Sequence, residues 1–164
     1  MKALHLFTLI AALVSTASAA PKNIVDYFLT IPQQSFTEGS RAELVKSIQR
    51  GDNGAILDTK NGYMRRLADG AQASLQIALF RFEDKTPLLV VSWGEREEAE
   101  FTHVTLFIEK DGKMIPTDRK ILPVADSKDH RFELPRHGRT IILRDANQKV
   151  LSKWIWNGKD FVKD

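Results

Sequence analysis

Three stretches of this chain carry apolar side chains on both faces of an extended strand: LQIALFRF (75–82), LLVVSW (88–93) and VTLFI (104–108). Successive side chains of a strand point to opposite faces of its sheet, so such a strand is buried on both sides. A second layer must then cover the sheet, supplied either by helices or by another sheet that curls back. The three stretches therefore predict a layered, β-rich domain.

The hydrophobic pattern after Gly51 has a period of two and is interrupted by turn dipeptides such as Asn61-Gly62, Asp111-Gly112 and Asn157-Gly158. Because these turns are short, neighbouring strands must run antiparallel. The predicted strands are Ala55–Lys60, Tyr63–Leu67, Leu75–Phe82, Leu88–Trp93, Phe101–Glu109, Lys113–Ile115, Arg119–Leu122, Thr140–Arg144, Val150–Trp156 and Phe161–Val162.

Helical patterns precede Gly51. Asn23 can cap a short helix that Pro32 ends, and Ser40 with Glu43 forms a capping-box pattern for a second helix that ends at Gly51. The predicted fold class is therefore α+β and mostly antiparallel β. We expect a strongly bent sheet, a sandwich or a partial barrel of about 8–10 short strands, with two N-terminal helices packed against it.

The first 19 residues have the pattern of a secretory signal peptide: Lys2, an apolar run from Leu6 to Val14, and a small-residue stretch that ends at Ala19. The run is shorter than the ~20 residues that span a bilayer, and no later stretch approaches that length. The chain has no cysteine, so neither a disulfide nor a lipid-modified cysteine is possible. We expect a single globular domain over residues 20–164, located in the periplasm or secreted, with no transmembrane segment once the signal is removed.

The run DYFLTIP, the second helix, DTKNGYMRRLADGAQASLQIALFRF and the closing WNGKDFV together resemble a set of uncharacterised exported bacterial proteins. The resemblance covers most of the mature chain. It implies a shared fold and an envelope or extracellular location, and it implies no reaction, cofactor or catalytic residue.

The formal charge is +3, which becomes +2 once Lys2 leaves with the signal peptide. This small excess argues against nucleic acid as a partner. Basic residues are nevertheless concentrated in HRFELPRHGR, and arginine forks suit carboxylates and phosphates, so Arg131, Arg136, His137 and Arg139 are candidate ligand-binding residues. The alternative is a solvated loop before the strand at Thr140.

Aromatic side chains give a second set of candidates. Trp154 and Trp156 share one face of their strand, where they form either an exposed stacking platform or the last part of the core. Tyr63 follows Asn61-Gly62, which predicts a two-residue type I′ hairpin with positive φ at both positions. Arg65 lies on the same strand face as Tyr63. This stretch does not match a calcium-binding loop, because arginines occupy positions where such a loop needs acidic ligands.

Catalytic and metal patterns are weak. His103 is a candidate base without an adjacent nucleophile, and His130 with His137 lacks a third ligand at zinc spacing. Four acids between Trp93 and Phe101 indicate a charged connection between strands rather than a metal site. They are Glu95, Glu97, Glu98 and Glu100. No cofactor motif occurs.

The leading hypothesis is therefore an exported, non-enzymatic binding or accessory protein, whose partner is an anionic envelope polymer, a peptide or a protein. The alternatives are a small hydrolase that uses His103 with a sequence-distant acid, and a structural subunit of an envelope complex recognised by an exposed apolar patch.

Overall fold

The computed structural model describes residues 21–35, 39–70, 72–94, 101–124, 127 and 129–164. The predicted signal peptide and the acids from Glu95 to Glu100 lie outside these ranges. Within them, no helix has the length and apolar character needed to cross a bilayer.

The described helices are short and capped by their own side chains. They are α1 (Ile24–Leu29) and α2 (Arg41–Arg50), with 3₁₀ turns at Gln33–Ser35, Asp52–Gly54 and Arg119–Ile121. Asn23 Oδ1 accepts from Val25 N over 2.8 Å, while Asp26 bonds back to the Asn23 amide over 2.7 Å. These bonds satisfy amides that the first turn of a helix leaves without partners.

Ten strands form two antiparallel sheets. The larger sheet has the order β1 to β6, with each strand beside the next along the chain. Its strands are β1 (Ile56–Asp58), β2 (Tyr63–Arg66), β3 (Leu75–Arg81), β4 (Pro87–Trp93), β5 (His103–Lys110) and β6 (Lys113–Pro116). The smaller sheet has the order β10-β9-β8-β7. Its strands are β7 (Arg131–Glu133), β8 (Thr140–Arg144), β9 (Val150–Trp156) and β10 (Phe161–Lys163).

Both faces of the larger sheet are covered, as its doubly apolar strands predict. Met64, Ile77 and Leu89 pack against the helices, while Ala78 and Val90 pack toward the smaller sheet. The helices thus cover one face of the larger sheet and the smaller sheet covers the other, whereas the sequence offered these two kinds of cover as alternatives. The expectation of a mostly antiparallel β fold is confirmed, and the described strands do not close into a barrel.

Two strand assignments differ from the prediction. Arg119–Leu122 was expected as a strand, but Arg119–Ile121 forms a 3₁₀ turn that delivers Leu122 into the core. Conversely, part of the segment expected as a solvated loop is β7, in which buried Phe132 alternates with charged neighbours. A strand of three residues with charged residues at both ends is too short to show the alternating pattern by which strands are recognised in a sequence.

The Asn61-Gly62 turn also differs from the prediction. Asp58 pairs with Tyr63, so four residues connect the strands, and Gly62 adopts a positive φ of 64° whereas Asn61 does not. The Asp58 carboxylate accepts from the Asn61 amide over 3.1 Å, which favours the longer loop. The two-residue turn with positive φ at both positions occurs instead at Asp111-Gly112, where φ is 51° and 77°.

Candidate functional site

A concave depression of about 630 Å³ lies between the β1–β2 end of the larger sheet and the smaller sheet. Four arginines from separate segments line it: Arg65 on β2, Arg131 on β7, Arg136 in the following loop and Arg144 on β8. We call this depression the arginine cleft. Its apolar wall includes Ile56, Phe101, Pro135 and Ile142.

Strand alternation explains how the smaller sheet presents two of these arginines. Phe132 and Leu143 pair across β7 and β8 and point into the core. The neighbouring pair, Arg131 and Arg144, therefore lies on the opposite face of the sheet. Like charges directly across an antiparallel pair destabilise it. Both arginines line the arginine cleft, so the smaller sheet contributes two neighbouring guanidinium groups to it.

Gln76 joins the two sheets at the floor of the cleft. It pairs with Arg65 across β2 and β3, and it is buried with 4% of its surface exposed. Its side-chain oxygen accepts from Leu134 N over 3.0 Å, and its side-chain nitrogen donates to Phe132 O over 3.4 Å. One amide side chain thus bonds two backbone groups of the segment that carries the basic residues.

A second hydrogen bond also joins β7 to the larger sheet. Phe132 N donates to Phe101 O over 2.8 Å, two residues before β5 begins. Together with the Gln76 contacts, this bond holds β7 against the larger sheet. Phe132 thus uses both its N–H and its C=O in bonds to the larger sheet, and the arginines of the basic segment project from a supported strand.

Two ion pairs offset part of the positive charge. Arg136 Nε lies 2.8 Å from Asp58 Oδ2, and Arg144 Nε lies 2.8 Å from Glu133 Oε2. Hydrogen bonds from Asn61 and Arg136 lower the pKa of Asp58 to about 2. Two of the four arginines of the cleft, Arg136 and Arg144, thus have a carboxylate partner among the described residues.

Arg65 and Tyr63 lie together on the inner wall. Tyr63 is 4% exposed, and its burial raises the pKa of the hydroxyl, against the opposing effect of the Arg65 and Arg136 charges. Arg65 Nε is buried and has no hydrogen-bond partner among the described residues. Arg65 as a whole is half-buried and lines the cleft, so it adds a cation to the inner wall.

A second depression, of about 480 Å³, lies beside the first. Among the described residues, four cations and no acid line its wall. The cations are Lys22, Lys60, Arg81 and Arg139. Lys22 is paired with Glu109 over 2.6 Å, and the Arg81 guanidinium lies 5.6 Å from the Tyr27 ring centre. We call this the basic depression.

The predicted ligand-binding residues are divided between these two depressions. Tyr63, Arg131, Arg136 and His137 line the arginine cleft, and Arg139 and Trp156 line the basic depression. Trp154 lines neither. Whether any of them binds a ligand stays a prediction.

The two tryptophans differ in environment. Trp156 is 2% exposed, with its ring 4.9 Å from Phe161 and 5.1 Å from Phe82, and its Nε1 donates to Arg81 O over 2.9 Å. Trp154 is half-buried and donates to Ser152 Oγ over 2.8 Å. Trp156 thus lies in the core, in agreement with the second interpretation of the aromatic pair.

Sequence reasoning did not include Arg65, Arg144, Lys22, Lys60 and Arg81 among the site residues. Arg65 was recognisable in part, because it shares a strand face with Tyr63. The other four lie at unrelated positions in the sequence, and only the packing of the sheets and loops brings them together.

His103 lies outside both depressions. Its ring stacks on Trp93 with 5.6 Å between centroids, and its backbone oxygen accepts from Ser92 Oγ over 2.8 Å. No ion pair joins it to a carboxylate among the described residues, where no group of three or more potential metal ligands occurs either. The hydrolase hypothesis keeps His103 as its candidate base but gains no partner for it here.

An exposed apolar strip occupies the outer face of the smaller sheet. Leu151 and Ile155 on β9 and Val162 on β10 are each between 37% and 45% exposed. These side chains are the described feature that a structural-subunit role would use, and they line neither depression.

No protein-family model matches this sequence, and no curated protein sequence matches it. Among solved structures, the chain is similar to a domain of an uncharacterised protein from Porphyromonas gingivalis W83. The TM-score is 0.52 at 13% sequence identity, and the match covers 86% of this chain and 97% of that one. The likeness supports a fold shared with an uncharacterised bacterial protein and carries no function.

Proposed function

We propose that this protein is an exported, non-enzymatic binding protein whose arginine cleft takes the anionic groups of an envelope polymer. The observation that carries the proposal is the convergence of Arg65, Arg131, Arg136 and Arg144 on one concave site. Guanidinium groups present planar, paired donors that match carboxylate and phosphate oxygens. Export rests on the signal-peptide pattern of the first 19 residues.

The smaller sheet presents two guanidinium groups side by side to the cleft. Arg131 and Arg144 are direct cross-strand neighbours, and Glu133 pairs with Arg144. Arg65 lines the same cleft, so an anion held there would accept hydrogen bonds from guanidinium groups of both sheets. Peptidoglycan and lipopolysaccharide both carry suitable carboxylate or phosphate groups.

Sedimentation with insoluble peptidoglycan and with vesicles that contain lipopolysaccharide tests this proposal. The variant Arg131→Gln/Arg136→Gln/Arg144→Gln, which changes cleft residues alone, should lose binding to whichever material retains the wild-type protein. The matched control is Lys46→Gln/Lys110→Gln/Lys120→Gln, which removes the same charge from exposed positions outside both depressions.

Equal retention of the arginine variant and the wild type would sink the proposal, and so would loss of binding by the lysine control alone. Circular dichroism of each variant establishes that it is folded. A binding protein should also release no soluble fragments from peptidoglycan, whereas release that is lost in His103→Gln would favour the hydrolase alternative.

A further inference from the structure

We propose that the ligand is an extended polyanion that occupies the arginine cleft and the basic depression at the same time, crossing the wall between them. This inference rests on the proposed function and deepens it, because it replaces a single bound anion by a chain with repeated anionic groups. The two depressions would then be neighbouring subsites of one surface.

Sequence neighbours line the two depressions at two places. Gly62 lines the basic depression and the next residue, Tyr63, lines the arginine cleft. Likewise His137 lines the cleft and Gly138 lines the basic depression. Consecutive Cα atoms are about 3.8 Å apart, so a flexible chain need only pass over a single row of backbone to reach both subsites.

The same wall is held together by the ion pair of Asp58 with Arg136, which links the end of β1 to the β7–β8 loop. Asp58 also accepts from the Asn61 side chain, and 11% of its own side chain is exposed. The carboxylate inside the wall is therefore bonded and largely covered. It presents little negative charge to a polyanion that passes above it.

Cations continue on the far side of the wall. Lys60 and Arg139 come from the two loops that build the wall, and Lys22 and Arg81 complete the basic depression. Among the described residues, no ion pair occupies Lys60, Arg81 or Arg139. The cleft and the depression together carry eight of the 24 basic residues of a chain with a formal charge of only +3.

Such a surface distinguishes a chain from a single anion. A small anion can fill one subsite, whereas a chain that fills the first subsite holds its next groups close to the second at high effective concentration. Binding should then strengthen with chain length and weaken with salt, because more counterions are released from a longer contact.

Titration calorimetry with two length series tests the inference. The probes are tripolyphosphate and polyphosphate of ~20 units, and galacturonate trimer and polygalacturonate of ~20 units. For at least one series, we expect the Kd of the wild type to fall at least about 10-fold from the short to the long member. Improvement in the phosphate series alone identifies phosphate as the recognised group, and improvement in the galacturonate series alone identifies carboxylate.

The decisive variant is Lys60→Gln/Arg139→Gln, which removes two exposed cations of the basic depression. We expect its length-dependent gain to shrink to about 3-fold or less, and its plot of log Kd against log salt concentration to become less steep. The matched control, Lys46→Gln/Lys120→Gln, should keep both the full gain and the wild-type salt slope.

A full length-dependent gain in Lys60→Gln/Arg139→Gln would overturn the inference and leave the arginine cleft as a site for single anions. Equal Kd values for the short and long members of both series in the wild type would overturn it in the same way. If the wild type instead binds none of the four probes and is not retained by peptidoglycan or lipopolysaccharide, the proposed function itself is contradicted.

Discussion

The side-chain oxygen of Gln76 accepts a hydrogen bond from the backbone amide of Leu134 over 3.0 Å, across a separation of 58 residues. The contact joins the third strand of the larger sheet to the segment that follows β7, on the floor of the arginine cleft. Both residues are buried, so water cannot replace the bond. The position of the basic segment therefore depends in part on this one glutamine, together with the bond from Phe132 to Phe101.

Replacing Gln76 by leucine should destabilise the protein by about 1–3 kcal/mol, because Leu134 N and Phe132 O lose a buried partner. Urea unfolding followed by circular dichroism measures the change. Gln72→Leu, at an exposed position, is the control and should stay within about 0.5 kcal/mol of the wild type. A loss for Gln76→Leu as small as that of the control would show that the bond does not anchor the segment.

Asp58 predicts a pH dependence. Its folded-state pKa of about 2 lies below the usual value of 3.8, so its contribution to stability is present above that value and is lost as pH falls toward 2. The urea midpoint of the wild type should exceed that of Asp58→Asn at pH 6, and the gap should narrow between pH 4 and pH 2. Other aspartates with lowered pKa values, such as Asp52 and Asp84, are common to both proteins and cancel in the comparison. A gap that stays constant over this range would contradict the assignment.

The two tryptophans of β9 should differ in their effect on stability. Trp156→Ala removes a 2%-exposed ring from the aromatic cluster and should cost about 3–5 kcal/mol, whereas the half-buried Trp154→Ala should cost clearly less. Chemical denaturation of both variants gives the comparison. Equal losses would mean that Trp154 closes the core as fully as Trp156.

Gly62 and Gly112 both have positive φ, yet alanine should be tolerated differently at the two positions. A Cβ at Gly112 meets no atom within 4 Å, while one at Gly62 would lie 2.9 Å from Leu79 Cβ. Gly112→Ala should therefore cost only the backbone strain, about 1–2 kcal/mol. Gly62→Ala adds an overlap with a packed strand and should cost more, as measured by thermal unfolding. Equal losses in melting temperature would show that the larger sheet accommodates the added Cβ near Leu79 without a further loss of stability.

Much of the architecture followed from local pattern. Thr140–Arg144 and Val150–Trp156 were predicted with the bounds that the structure has, because their apolar residues alternate and turns flank them. The segment Arg131–Glu133 was missed as a strand because Phe132 is its one buried residue, and its pairing with β8 and its bond to Phe101 are both non-local. A side chain that captures a loop amide, as Asp58 does with Asn61, likewise changed a turn whose dipeptide favoured another type.

The candidate site could be predicted only where its residues are neighbours in sequence. HRFELPRHGR supplied Arg131, Arg136 and His137 to the cleft, but Arg139 from the same stretch lines the adjacent depression. Arg65 and Arg144 come from other strands, one in each sheet, and only the packing of the two sheets brings them to the same cleft.

The sequence by itself determined that this chain forms antiparallel strands needing cover on both faces, since alternation and turn chemistry are local properties of the chain. Only the tertiary structure decided that helices cover one face and a second sheet the other, that Trp156 enters the core, and that eight cations meet around a shared wall. The reason is physical. Burial and the clustering of charges depend on which segments, distant in sequence, pack together, and the order of charged residues along the chain does not specify that packing.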